Sequence, residues 1–222
     1  MGNRAEVSEL LLRVCHDLRS PIRAIRTHAE LLIKKGESEA LEGLRPSLGF
    51  ITDGARKVDA LVDALTAYSL AIATDPATFQ PVRLDVLVRG ALARLEAPLR
   101  ETGGQVSIGE LPRVQGNPDR LMQLFEEVIR NSIMHRGEAP PRIAIQGTRE
   151  GDDWVIVVKD NGLGIEAGDT ERVFRPFERL QGSGAGLGLA SGRAIVSAHG
   201  GRMWAEAPAE GGLEVRFTLP AE

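Results

Sequence analysis

The chain has 222 residues, of which 42% are hydrophobic and 26% are charged; these values are typical of globular proteins and exclude disorder and collagen-like fibres. Its 27 Lys and Arg residues and 31 Asp and Glu residues give a net charge of −4, so no basic excess indicates nucleic acid or anionic lipid as a partner. One cysteine cannot form an internal disulfide. Because no apolar run approaches the about 20 residues of a membrane helix and no hydrophobic signal core is present, we expect no membrane span and a cytoplasmic location.

Two long helices are predicted first. Apolar residues recur every three or four positions from Val7 to Leu32, and a heptad series continues from Leu44 to Ile72. Such a hairpin has an apolar seam that needs a partner, and pairing with a second copy into a four-helix bundle is the economical solution. An intramolecular helical cap on the rest of the chain is the alternative. Residues 1–73 are therefore predicted to be an all-α helical hairpin that forms a homodimer.

A second domain is predicted for residues 79–222, after a linker over residues 74–78 where the composition changes. Helices are predicted for Leu84–Thr102, Asn117–Arg136 and Gly188–His199. Strands are predicted for Gln105–Ile108, Arg142–Gly147, Trp154–Lys159, Met203–Glu206 and Leu213–Leu219. This mixture is typical of an α/β sandwich, with helices packed on one face of a mixed sheet.

His16 is the first candidate for chemistry. It lies in the first predicted helix, roughly opposite the apolar positions Val14 and Leu18, and is expected to face solvent. Asp17 follows it, and Pro21, about one turn further on, is expected to kink the helix beside the histidine. An exposed imidazole beside a carboxylate suits nucleophilic or acid–base chemistry, although most lone exposed histidines are ordinary surface residues.

Two glycine-rich stretches in the second domain suit a nucleotide. Asp160-Asn-Gly-Leu-Gly164 follows a predicted strand, which delivers a carboxylate to the sheet edge, where glycines let a flat ligand approach. Gly184-x-Gly-x-Gly188 runs into a predicted helix, whose free amides suit phosphate. Tight turns explain most such stretches when each is taken singly. The sequence has neither a lysine-containing phosphate loop nor a Gly-x-Gly-x-x-Gly opening a βαβ unit, which disfavours those two nucleotide folds.

Glu127 and Asn131 lie four residues apart, on one face of the helix predicted between His16 and the glycine-rich stretches. An amide oxygen beside nucleotide phosphates is a suitable hard ligand for Mg²⁺, whereas an ordinary pair on a helix surface is the plain alternative. A different face of this helix is predicted to be buried, and it consists of Leu121, Leu124, Phe125, Val128 and Ser132.

Five motifs in chain order resemble the transmitter module of sensor histidine kinases. They are His16-Asp-Leu-Arg-Ser-Pro21, Glu127-x-x-x-Asn131, Asp160-x-Gly-x-Gly164, Phe174-x-x-Phe177 and Gly184-x-Gly-x-Gly188, and they look like that family's H, N, G1, F and G2 boxes. The resemblance covers nearly the whole chain. Asp53-Gly-Ala-Arg56 and Leu65-Thr-Ala-Tyr-Ser69 are similar to phytochrome-type kinases in particular.

This resemblance implies a dimerisation and histidine-phosphotransfer hairpin in residues 1–73 and an ATP-binding domain of the Bergerat type in residues 79–222. The implied function is that of a two-component signalling kinase, which autophosphorylates His16 from ATP with Mg²⁺ and passes the phosphoryl group to a response-regulator aspartate. The implied partners are a second copy of the chain, the receiver domain of a response regulator, and a sensor domain or sensor protein.

The resemblance also implies a role for each motif residue. His16 would be the phosphoacceptor, and Asp17 would orient and deprotonate its ring. Asn131 would hold Mg²⁺ on the triphosphate, and Asp160 would accept a hydrogen bond from the adenine amino group. The other implied nucleotide-binding residues are Glu127, His135, Arg136, Gly162, Gly164, Phe177, Gly184, Gly186, Gly188 and Leu189.

Three departures from the family pattern leave two other functions open. The family usually carries Asn at the position of Glu127 and Lys at that of Met134, and the segment from Leu180 to Gly188 is short for a phytochrome-type lid. A degenerate nucleotide domain would make the chain a phosphotransfer or scaffold protein that relays phosphate through His16 without using ATP. A carboxylate at Glu127 also resembles the related Bergerat-fold ATPases.

Overall fold

A computed structural model describes residues 18–32, 45–180 and 185–221. Contacts between residues divide the chain into two units, Met1–Thr66 and Ala67–Glu222. Three residues of the predicted site, His16, Asp17 and Gly184, lie outside the described residues. No helix in the described ranges is long and apolar enough to cross a membrane.

The first unit contains two antiparallel helices, α1 over residues 18–32 and α2 over Arg45–Ile72, the last residues of α2 belonging to the second unit. They come into close contact at Gly54, where a Cβ atom would lie 2.7 Å from Ile25 Cγ1 and 3.1 Å from the Pro21 carbonyl oxygen. Further along, the His28 and Phe50 rings stack with their centroids 4.2 Å apart. These contacts join the two helices as a hairpin.

The second unit mixes helices and strands. Its helices are α3 (Leu84–Arg94), α4 (Glu96–Thr102), α5 (Pro118–Met134) and α6 (Gly188–Ala198). Its strands are β1 (Gln80–Arg83), β2 (Gln105–Ile108), β3 (Arg113–Gly116), β4 (Arg142–Glu150), β5 (Asp153–Asp160), β6 (Met203–Glu206) and β7 (Glu214–Pro220). Short 3₁₀ helices cover Pro76–Thr78, Ala167–Asp169 and Arg172–Phe174.

Five of these strands form a mixed sheet in the order β2-β4-β5-β7-β6, in which β2 and β4 are parallel and the other neighbours antiparallel. β1 and β3 form a separate antiparallel pair. α5 packs on the sheet, as shown by the edge-on contact between Phe125 of α5 and Phe217 of β7, whose ring centroids are 5.9 Å apart. This arrangement confirms the predicted α/β sandwich.

Several predicted element bounds need correction. The single helix predicted for Leu84–Thr102 is two helices, because the backbone of Leu95 leaves the helical conformation (φ −101°, ψ 12°). The sequence pattern does not predict β1 and β3, because each contains a single β-branched residue, Val82 and Val114 respectively, among residues that are not typical of strands. The face of α5 predicted to be buried is confirmed, because Leu121, Leu124, Phe125, Val128 and Ser132 are all buried.

Candidate nucleotide site

Asp160 is fixed at the end of the central strand β5 and is 7% exposed. Its Oδ1 accepts hydrogen bonds from the backbone N–H groups of Gly162 (2.9 Å) and Leu213 (3.1 Å). Its Oδ2 accepts a hydrogen bond from the hydroxyl of Ser132 on α5 (2.7 Å). A carboxylate has about four acceptor positions, so these three donors set its orientation and leave Oδ2 able to accept from a ligand amino group.

Glycines surround this carboxylate because neighbouring backbone segments come too close for side chains. A Cβ atom on Gly162 would lie 2.6 Å from the His135 carbonyl oxygen, and one on Gly164, whose φ is +68°, would lie 2.8 Å from the Gly212 carbonyl oxygen. A Cβ atom on Gly212 would overlap the Asp160 carbonyl oxygen, and its φ of +79° also favours glycine. The backbone around Asp160 is therefore tightly packed.

Glu127 lies at a different end of the site from Asp160, beside the beginning of α6. A Cβ atom on Gly188, the first residue of α6, would lie 2.8 Å from Glu127 Oε2. Burial raises the pKa of the Glu127 carboxyl, while the charge of Arg130 acts in the opposite direction. α6 has no acidic residue in its first turn, and Leu187 before it offers no side-chain cap, so the first amides of α6 suit an anion.

Asn131 lies between these two ends on α5, one turn from Glu127, and is half-buried. The backbone carbonyl oxygen of Asn131 accepts a hydrogen bond from the backbone N–H of His135, the residue that caps the end of α5, at 2.9 Å. Arg136 is exposed, and its Nη1 donates to the Ile133 carbonyl oxygen at 3.2 Å. α5 thus carries the candidate oxygen ligands for a hard cation, and the positive charge of Arg136 follows just beyond its end.

Phe177 and Gly186 meet through a hydrogen bond from the Phe177 N–H to the Gly186 carbonyl oxygen at 2.7 Å. Both residues have positive φ values, 62° and 68°. A non-glycine residue in this conformation costs about 1–3 kcal/mol and persists only where its surroundings fix it. The ring of Phe177 is buried, as is Leu189 in the first turn of α6.

The segment before Phe177 is fastened to α6 by Arg193. The guanidinium of Arg193 lies 3.9 Å from the centroid of the buried Phe174 ring and pairs with Glu171 at 3.0 Å. Its Nη2 also donates to the Met203 carbonyl oxygen at 3.1 Å. This anchor holds the Phe174 motif against the helix whose first turn lies beside Glu127.

The structure brings the described motif residues into two groups joined by α5. One group contains Asp160, Gly162, Gly164 and His135, and the other contains Glu127, Gly188 and Leu189. Phe177 and Gly186 contact each other.

Sequence reasoning missed three residues of this site. Ser132 is predicted only as core, although a hydroxyl inside an apolar stripe is a signal that a buried polar partner is needed. Gly212 and Leu213, which contact Asp160 from the far end of the chain, could have been found from the Gly211-Gly212 doublet just before the last strand.

Comparison with known proteins defines the class of this domain. Residues 116–222, just under half of the chain, match the family described as histidine kinase-, DNA gyrase B-, and HSP90-like ATPase. The matches to histidine kinases described next confirm the resemblance of the chain to the transmitter module of sensor histidine kinases.

Among individual proteins, the chain is 31% identical to cyanobacterial phytochrome A of Nostoc sp., over 98% of this chain and 29% of that protein. It is 33% identical to the methanogenesis regulatory histidine kinase FilI of Methanothrix harundinacea, over 99% of this chain and 25% of FilI. The chain thus spans less than a third of the length of these curated relatives. The structure of histidine kinase ThkA in complex with the response regulator protein TrrA has the same fold, with a TM-score of 0.75 over 100% of this chain and 64% of that chain at 23% identity.

Proposed function

We propose that the chain is the kinase core of a two-component signalling protein, which autophosphorylates His16 from ATP and transfers the phosphoryl group to an aspartate of a response regulator. The observation that carries this proposal is the Asp160 carboxylate, which three donors orient while Oδ2 keeps acceptor capacity for an adenine amino group. The similarity of the chain to phytochrome A of Nostoc and to the histidine kinase FilI supports the same assignment.

The proposed reaction needs positioning and charge neutralisation more than covalent assistance from the protein. A ring nitrogen of His16 forms a bond to the γ-phosphorus, while the bond from that phosphorus to the β–γ bridging oxygen breaks and ADP leaves with the electron pair. Asp17 orients the ring and accepts its proton. Asp160 holds the adenine, and the amides at the start of α6 hold the phosphates.

We propose Asn131 as a ligand of Mg²⁺, with Glu127 beside it. The donor set fits, since an amide oxygen and a carboxylate one helical turn apart are the hard oxygen ligands that Mg²⁺ accepts together with phosphate oxygens. When bound, Mg²⁺ neutralises charge on the transferring phosphoryl group. A nearby cation would also favour the ionised form of Glu127, whose pKa burial raises.

We further propose that the hairpin forms a homodimer. Several large apolar side chains on it are exposed, including Ile22 (52%), Leu48 (50%), Phe50 (55%) and Val62 (49%). A second copy would cover them in a four-helix bundle. Leu18→Glu or Val58→Glu is then expected to give monomers in analytical ultracentrifugation, whereas a stable dimer in both variants would contradict the bundle.

The remaining partners of the proposed kinase follow from its reaction. We propose a response-regulator receiver domain as phosphoryl acceptor and a sensor domain or sensor protein as the source of the signal. Since the substrate is ATP, we also propose a cytoplasmic location for this part of the protein.

Incubation of the purified protein with γ-³²P-labelled ATP and Mg²⁺ tests the kinase proposal. We expect label that is stable in base and lost in acid, as for phosphohistidine. His16→Gln should remove the label, while the matched variant His28→Gln should keep it. Absence of Mg-ATP binding to the wild type at millimolar nucleotide would instead favour the relay of phosphate through His16 without ATP.

A further inference from the structure

His199, which ends α6, is buried to 5% exposure and uses both ring nitrogens. Nδ1 lies 2.7 Å from the Ile195 carbonyl oxygen, and Nε2 accepts the backbone N–H of Asn117 at 3.0 Å. A nitrogen facing an N–H group must carry a lone pair, so the ring is neutral and its proton is on Nδ1. Burial lowers the pKa of His199, in agreement with this assignment.

The same ring holds the segment that connects α2 to β1. Phe79 stacks on His199 with the ring centroids 4.3 Å apart and an interplanar angle of 7°. Asn117, which the ring fixes, donates from Nδ2 to the hydroxyl of Thr78 at 2.8 Å. Thr78 in turn donates to the Asp75 carbonyl oxygen at 2.6 Å. Residues 75–79, which include most of the linker predicted over residues 74–78, are therefore docked on the rest of the second unit; we call this segment the connector.

The connector is also fixed on its N-terminal side. Ala71, in the last turn of α2, is completely buried in the core of the second unit. Gln123 of α5 donates from Nε2 to the Ala67 carbonyl oxygen at 3.2 Å, and Thr74 closes the end of α2 with a 2.8 Å hydrogen bond to Ala71. A chain anchored on both sides has far fewer conformations than a free linker of the same length.

The residues that dock the connector belong to the helices of the proposed nucleotide site. Asn117 caps the start of α5, where its Oδ1 accepts the Arg120 N–H at 3.0 Å, and the same helix carries Glu127 and Asn131 further along. His199 ends α6, whose first residue is Gly188. The connector thus contacts both helices at the ends remote from Glu127 and Gly188.

We propose that His199 is a positioning residue, which through Asn117 and Phe79 locks the connector so that bound nucleotide is presented to the phosphoacceptor in a reactive geometry. This inference rests on the proposed kinase function. A loose connector would leave the nucleotide site intact but lower the fraction of molecules in which the reacting groups are aligned. Its signature is a lower rate of phosphorylation at unchanged nucleotide affinity.

Two variants loosen the connector without touching the nucleotide site. Phe79→Ala removes the stack, and Thr78→Val removes the hydroxyl while keeping the shape of an exposed side chain. Thr102→Val is the matched control, since its hydroxyl donates within its own helix, to the carbonyl oxygens of Pro98 and Leu99. Phe79→Tyr keeps an aromatic ring and should restore the wild-type behaviour.

Hydrogen exchange measures the docking itself, without reference to activity. We expect faster exchange of the Thr78, Phe79 and Asn117 amides in Phe79→Ala and Thr78→Val, and wild-type exchange in Thr102→Val and Phe79→Tyr. Unchanged exchange in both loosened variants would overturn the proposal, whether or not the protein is a kinase.

The rate measurement then tests positioning. In the full-length chain, we expect the single-turnover labelling rate at saturating Mg-ATP to fall at least about fivefold in Phe79→Ala, with the Kd for Mg-ATP within about twofold of wild type. Faster exchange with an unchanged rate, or an equal loss of affinity, would overturn the positioning role alone. A wild type that binds Mg-ATP but labels no histidine would overturn the proposed function and this role with it.

Discussion

The two ends of the candidate nucleotide site each contain a carboxylate that is shielded from solvent, Asp160 and Glu127, and the surroundings of these two carboxylates differ. Asp160 accepts three hydrogen bonds from backbone and hydroxyl donors, so its orientation is set before any ligand arrives. For Glu127, desolvation is the largest influence on the carboxyl, and it raises the pKa. One end is therefore preorganised for a neutral donor, while the other holds a charge that is costly to bury unless a cation accompanies it.

The largest expected effect comes from breaking the backbone packing around Asp160. Gly212→Ala should destabilise the second unit by about 3 kcal/mol, because its Cβ would overlap the Asp160 carbonyl oxygen at a positive φ. Gly151→Ala is the matched control, since its φ is also positive (+63°) but nothing lies within 4 Å of the added Cβ. Urea unfolding followed by tryptophan fluorescence reports on this unit, as both tryptophans, Trp154 and Trp204, belong to it. Equal losses in the two variants would show that packing against Asp160 is unimportant.

Asp160→Asn should weaken Mg-ATP binding by roughly tenfold to a hundredfold, as expected for loss of a hydrogen bond to a charged acceptor worth about 1.5–3 kcal/mol. With its oxygen kept toward Gly162 and Leu213, the new amide would present an NH₂ group at the position of Oδ2, where an acceptor is needed. Isothermal titration calorimetry measures the change. Asp153→Asn, at the start of the same strand, should bind normally. Equal binding by Asp160→Asn would contradict the adenine assignment.

Glu127→Gln tests the buried charge at the other end of the site. A carboxyl whose pKa is raised on folding contributes its full stability below the pKa of the unfolded chain and loses it as pH rises through the folded pKa. Removing the charge should therefore stabilise the nucleotide-free protein at pH 7, by about 0.5 kcal/mol, and flatten the loss of stability above pH 4. Urea unfolding at pH 4 and pH 7 provides the measurement. A variant less stable than wild type at pH 7 would show that the charge is already compensated.

The last expected effect is the dependence of stability on pH that His199 causes. Burial lowers the pKa of His199 on folding. The contribution of His199 to the free energy of unfolding is therefore complete above about pH 6.5, the pKa of histidine in the unfolded chain. It decreases as the pH falls below that value, because the unfolded chain takes up a proton first. The slope from this residue is at most about 1.4 kcal/mol per pH unit. His199→Gln should remove it, so the pH dependence of unfolding between pH 7.5 and 5.5 should be shallower than in wild type. Parallel curves would contradict a neutral, docked His199.

The sequence alone predicts much of the architecture, because the spacing of apolar residues indicates which face of a helix or strand is buried. The buried stripe of α5 from Leu121 to Ser132 is an example, as is the strand that ends at Asp160. The features that the sequence does not predict depend on contacts between residues that are far apart along the chain. Ser132 and Leu213 meet at Asp160 across separations of 28 and 53 residues, and no local pattern encodes such a meeting. The stacking of Phe79 on His199 is not predicted from the sequence for the same reason.

The contact at Gly54 restricts what α1 and α2 can tolerate when the hairpin is altered by evolution or by engineering. A single added carbon would require Ile25 to move, and a branched side chain would act as a wedge against the Pro21 carbonyl oxygen. In a chimeric protein built on this hairpin, Gly54 is thus a residue to leave unchanged, because its lack of a side chain allows α1 and α2 to approach each other closely at this level.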